Sequence, residues 1–81
     1  MRRNEVKINA KGLSNPGPRM MVESVLAEQE CKTLRVVVTS EEAVKDLEEY
    51  FDTLGATIEV DQIGEEIHML VDLPVLGDEL P

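Results

Sequence analysis

Cysteine and histidine occur once each in this 81-residue chain, tryptophan is missing, and Tyr50 and Phe51 are its only aromatic residues. A single thiol, Cys31, cannot close an internal disulfide, and with His68 it is far from the four ligands of a structural zinc site. The fold must therefore rest on packing. No apolar run approaches the roughly 18 residues of a membrane span. The start, Met1 to Lys7, leads into alternating residues and not into the apolar stretch of a signal peptide, so a soluble, cytoplasmic protein is expected. No glycine-rich phosphate loop, Ser-His-Asp set or paired-carboxylate motif stands out, and neither a metal nor a cofactor is implied.

Positive charge is also scarce. Five basic side chains, Arg2, Arg3, Lys7, Lys11 and Arg19, face one acid in residues 1–20, whereas three face sixteen in residues 21–81, for a net charge of -9. Such a surface repels a phosphate backbone, and 2% aromatics provide few stacking platforms, so nucleic acid is not an expected partner. An anionic membrane is disfavoured for the same reason. A small basic region on an acidic chain can still orient a protein partner.

The chain does contain an ordinary globular balance, 42% apolar and 31% charged, enough for one small core. Val6, Ile8 and Ala10 alternate with polar residues as a strand with one buried face. Helical spacing follows from residue 16 or 17 to 29, with Met21, Val22, Val25 and Leu26 apolar. Leu34 to Val38 reads as a central strand, buried at least in part on both sides. Thr39 or Ser40 can cap a second helix, in which Val44, Leu47, Phe51 and Leu54 form the stripe and Gly55 the stop. Thr57–Ile63 and Glu66–Val71 flank a turn at Gly64 and suit a hairpin. The order βαβαββ predicts a two-layer α/β sandwich, a four-stranded mixed sheet with two helices on one face. Residues 1–72 form the single domain and 73–81 an irregular tail. The expected core is Val6, Ile8, Met21, Val25, Leu26, Leu34, Val36, Val38, Val44, Leu47, Phe51, Leu54, Ile58, Val60, Ile67, Met69 and Val71.

The most informative stretch lies between the first strand and the first helix: Gly12, Leu13, Ser14, Asn15, Pro16, Gly17, Pro18 and Arg19. It resembles the signature of the TusA (SirA-like) sulfur-carrier family, Gly-Leu-x-Cys-Pro-x-Pro, and the resemblance extends over residues 5–72 in element order and length. It implies a sulfurtransferase fold whose motif cysteine carries sulfane sulfur as a persulfide. A sulfur at a helix N-terminus lies beside unpaired N–H groups and the positive dipole end, which favours the thiolate. Here the cysteine position is Asn15. An asparagine amide is neither a useful nucleophile nor an acid or base near neutral pH. It is a good N-cap, so Asn15 is expected to accept the Gly17 N–H, with Pro16 at the first helical position.

Cys31 is the alternative sulfur carrier. It lies about 22 Å of helix away from the motif, at the negative dipole end beside Glu28 and Glu30, where a thiolate is disfavoured. His68 alternates with Ile67 and Met69 and has no partner ligand in sequence. Met20 and Met21 suit either core or an adaptable surface, and the acidic face of the second helix suits solvent. Arg19 stands near the positive end of the first helix, where helix stability alone does not explain it, and is expected to contact a partner through its planar donors. These readings together point to a sulfur-carrier-fold domain without the carrier cysteine, a non-catalytic binding or regulatory module for proteins of a sulfur-relay or redox pathway. Two readings compete with it: an active sulfurtransferase that relays persulfide sulfur through Cys31 or a partner's thiol, and a structural homo-oligomer built through a sheet edge.

Overall fold

A computed structural model describes residues 5–28 and 32–74. The elements run β1 (Glu5–Asn9), α1 (Gly17–Glu28), β2 (Thr33–Val38), α2 (Glu41–Thr53), β3 (Thr57–Ile63) and β4 (Glu66–Asp72). The strands form one mixed sheet in the order β1-β2-β4-β3. β1 is parallel to β2, and β4 is antiparallel to both of its neighbours. The chain therefore crosses through α2 from β2 to β3, leaving a place between them that β4 fills by hairpin return. This is the expected βαβαββ sandwich. Among the described residues, no helix is long and apolar enough to cross a membrane.

Sheet register decides which side chains share a face. Val6 stands opposite Leu34, and Leu34 opposite Val71; Ile8, Val36 and Met69 make the next row. These residues meet Val22 of α1 and Ala43, Leu47 and Phe51 of α2 in one core, so both helices cover the same side of the sheet. The opposite face carries Lys7, Arg35, His68, Glu59 and Asp61, with Val37 buried among its neighbours. A β2 buried on both sides agrees with its unbroken β-branched run.

α2 has well-defined ends. Ser40 Oγ accepts the Ala43 N–H at 3.1 Å, which makes Ser40 and not Thr39 the cap, and Glu41 and Glu42 complement the positive end of the helix. At the other end Gly55 takes a φ of 76°, its N–H donates to the Asp52 carbonyl, and the Ala56 N–H donates to that of Phe51. This is a Schellman closure, as the glycine stop predicted.

The expected core needs correction at three positions. Met21, Leu54 and Val60 are exposed, at 36%, 37% and 48%. In α1 the fully buried pair is Pro18 and Val22, with Val25 and Leu26 partly buried, so the stripe runs i, i+4, i+7, i+8 from Pro18 and leaves Met21 outside. In α2 the buried residues are Ala43, Leu47 and Phe51; Leu54 continues their stripe but is the C-cap, past the last helical residue, where it is exposed. Val60 has the right alternation but belongs to an edge strand where α2 leaves it uncovered, whereas Ile58 at the strand's start packs against the core. Val22 and Ala43 are buried though absent from the expected core, and Ala10 and Val37 join them, in keeping with the buried face read for β1 and the two-sided burial read for β2.

Burial sets the scale of truncation effects. Leu47→Ala should destabilise by about 2–5 kcal/mol. Val60→Ala, on the uncovered edge, should cost under about 1 kcal/mol. Urea denaturation of both variants measures the contrast, and equal losses would contradict the assignment of β3 as a solvent-exposed edge.

Candidate functional site

β1 and β2 are parallel, so both release the chain at the same end of the sheet, where α1 and α2 begin. β4 is antiparallel to β2, and Glu66 at its start lies at that end too. The motif loop, residues 11–16, is thus placed beside the first turn of α2 and the β3–β4 turn.

Hydrogen bonds tie the loop to these neighbours. The Ala10 N–H donates to the Val37 carbonyl at 2.8 Å, prolonging the parallel ladder past β1. Gly12 N–H then donates to Thr39 Oγ1 at 3.1 Å, and Lys11 Nζ pairs with Glu66 Oε2 at 2.9 Å. The chain turns back at Ser14, whose carbonyl accepts the Gly17 N–H at 2.7 Å. Leu13 folds over Gly17: a Cβ at Gly17 would lie 3.2 Å from Leu13 Cβ, so glycine there lets the loop close against the helix start.

The structure corrects the expected cap. The Gly17 N–H is taken by the Ser14 backbone, not by Asn15, because the turn at Ser14 brings a main-chain carbonyl to it. Asn15 is released to reach the other helix, and its Nδ2 donates to the Glu42 carbonyl in the first turn of α2 at 3.2 Å. The Asn15–Pro16 peptide is cis. Pro16 also precedes the helix instead of opening it: its carbonyl accepts the Met20 N–H at 2.9 Å, the role of a cap residue, and Gly17 is the first helical position. Pro18 is buried in the second position, where a missing N–H costs little.

Arg19 also has a structural partner. Its Nε lies 3.2 Å from Asp46 Oδ2 on α2, and its guanidinium is 3.5 Å from Glu23 Oε2. The ion pair between helices explains a cation near the positive end of α1, which the argument from helix stability alone could not. Nearby, burial and then the Glu23 charge raise the Tyr50 hydroxyl pKa, while Arg19 opposes the shift.

On the open face a polar chain continues from Lys11. His68 Nε2 is 3.0 Å from Glu66 Oε1, and His68 Nδ1 is 3.3 Å from an Arg35 nitrogen. Arginine can only donate, so Nδ1 accepts and the proton sits on Nε2, pointed at Glu66. Side-chain hydrogen bonds from Lys11 and then His68 hold the Glu66 carboxyl below its ordinary value.

Gly12, Leu13, Ser14, Asn15, Pro16, Gly17, Pro18 and Arg19, the candidate residues of the motif, run through the loop into the first turn of α1. Leu13 and Met20 are exposed on it, at 41% and 58%. Sequence reading missed Lys11, Thr39, Glu42, Asp46 and Glu66, which hold the loop. Only the N-cap pattern around Thr39–Glu42 hinted that α2 begins nearby. Cys31 lies outside the described residues, as do Arg2, Arg3 and residues 75–81 of the tail.

A loop pinned across the starts of two helices, at one end of a mixed four-stranded sheet, defines a small two-layer α/β domain that presents this loop to solvent. The family model "Sulfurtransferase TusA" matches residues 6–72, and the chain belongs to that family. Among solved structures, a SirA-like protein from Desulfitobacterium hafniense has the same fold, with a TM-score of 0.73 and 20% identity over 83% of this chain and 95% of that one. No curated protein matches the chain.

Two measurements check this geometry. As a side-chain donor, Asn15 should cost about 0.5–1.5 kcal/mol when changed to alanine. Asn15→Asp should cost more, because a carboxylate would face the Glu42 carbonyl. An N-cap would accept aspartate without loss, so wild-type stability of Asn15→Asp in chemical denaturation would restore the cap reading. For Glu66, a folded pKa below the unfolded one means stability that is complete above the ordinary glutamate range, near pH about 4.3, and lost as pH falls through the lower folded value. The stability advantage of wild type over Glu66→Gln should be present at neutral pH and vanish over that acid window. An advantage that persists below it would contradict the Lys11–Glu66–His68 linkage.

Proposed function

We propose that this TusA-family domain works without a carrier thiol, as a non-catalytic protein-binding or regulatory member of a sulfur-transfer or redox pathway in the cytoplasm. The observation that carries this reading is Asn15. It occupies the place at which the family signature has cysteine, and its amide is committed to the Glu42 carbonyl, holding the loop against α2. Neither the amide nor its hydrogen bond supplies a nucleophile. The anchors of the loop support a binding role: Gly12, Asn15 and Lys11 are each tied to a different element, so little conformational entropy is lost when a partner immobilises it. Leu13 and Met20 then supply apolar contact area, and Ser14, Asn15, Pro16 and Gly17 complete an uncharged surface on an acidic protein. Arg19 stands at its border and keeps part of its surface exposed while paired to Asp46.

The test uses a cysteine-desulfurase persulfide donor followed by intact-mass measurement. The wild-type chain should gain no reducible sulfur adduct, whereas Asn15→Cys in a Cys31→Ser background should gain one, because the loop retains the helix-terminus position. An adduct on the wild-type chain that Cys31→Ser abolishes would establish instead a sulfurtransferase working through Cys31.

A further inference from the structure

β3, one of the two edge strands of the sheet, has a bare side. All seven of its residues except Ile58 are exposed, and no described strand pairs with its outer edge. Every second residue therefore turns its N–H and C=O outwards, a template for another strand. Register divides its side chains. Ile58, Val60 and Gln62 stand opposite Val71, Met69 and Ile67 on the helix-bearing face, and Thr57, Glu59, Asp61 and Ile63 lie on the open face. Val60 and Ile63 are about half exposed, at 48% and 52%. The edge thus offers apolar contacts together with a pair of carboxylates.

A second copy does not suit the middle of this edge. Two-fold antiparallel pairing keeps like faces together, so only residues on the same face oppose one another. Centred on Val60, it sets Glu59 against Asp61 twice; centred on Glu59 or Asp61, it sets an acid against itself. Like charges directly opposite are destabilising. α2, packed against β3 and β4, adds exposed Glu48, Glu49 and Asp52 to the same acidic protein. Charge therefore selects the occupant.

We propose that the outer edge of β3 is a strand-addition site for an extended basic segment of another protein, in which lysine or arginine alternates with apolar residues. Main-chain hydrogen bonds hold the segment in line, its cations lie against Glu59 and Asp61, and its apolar residues lie against Val60. The site uses none of the motif-loop residues and is independent of the fate of sulfur at Asn15.

The probe is an acetylated, amidated heptapeptide of alternating lysine and valine, titrated into the isotope-labelled full chain and followed by amide chemical shifts and hydrogen exchange. The largest shifts should fall on residues 57–63, with alternate β3 amides newly protected. The double variant Glu59→Lys, Asp61→Lys alters two exposed side chains, and its thermal unfolding checks that it folds. It should weaken the peptide at least about tenfold, or about 1.4 kcal/mol. A peptide with glutamate in place of lysine should not bind the wild-type chain. Shifts centred on α2 or on the motif loop, no binding, unchanged affinity in the folded double variant, or dimers of the free protein that protect the β3 amides would each overturn the proposal.

Discussion

The whole domain depends on the burial of one face of the sheet. Leu34, Val36 and Val38 in β2 lie between apolar rows from β1 and β4, and the helices close over them with Val22, Leu47 and Phe51, all without exposed surface. Every other feature follows from how that cover is arranged. Two helices meet the central strands fully, while β3, at one edge of the sheet, is covered only at its start. Among the described residues no helix covers the open face, which carries Lys7, Arg35, His68, Glu59 and Asp61, with Val37 buried by its immediate neighbours.

The same arrangement creates the candidate site. Parallel β1 and β2 deliver the starts of α1 and α2 to one end of the sheet, and the antiparallel return of β4 brings Glu66 there. The loop between β1 and α1 is then held by contacts that each come from a different element: Thr39 after β2, Glu42 in α2, and Glu66 in β4. At the centre of this scaffold Asn15 acts as a brace, its amide tied to the Glu42 carbonyl. The contacts that hold the loop also fix how it is presented to solvent.

Charge organises the rest of the surface. Arg19 is absorbed by Asp46 and Glu23, and Lys11 by Glu66, so the basic groups of the loop region join elements of the domain together. The exposed acids Glu48, Glu49 and Asp52 of α2 and Glu59 and Asp61 of β3 have no such counterparts among these pairs. Uncharged contacts at the motif loop and carboxylates at the β3 edge give the domain two surfaces of different chemistry, separated along the sheet.

Much of the architecture was legible in the residues themselves. Alternation in β1 and the β-branched run of β2 specify strands because side chains in a strand point to opposite faces, and Ser40 and Gly55 bound α2 because a helix end needs partners for its unpaired groups. The Gly12–Pro18 loop could be singled out as the candidate site from its motif alone. What periodicity cannot convey is coverage. Val60 and Leu54 have the spacing of core residues, yet their exposure depends on how far a helix reaches over an edge strand, and Met21 is displaced because Pro18 and Val22 set the rotation of α1. Likewise, Asn15 has the chemistry of a cap, but a backbone carbonyl from Ser14 reaches Gly17 first and a carbonyl from α2 lies within reach of its amide. Lys11 and Glu66 are separated by most of the chain and become partners only when β4 returns beside β2. Local sequence determined the elements and the loop, because their signals come from neighbouring residues. Tertiary structure decided which side chains hold that loop and which edge stays open, because both depend on elements brought together from distant parts of the chain.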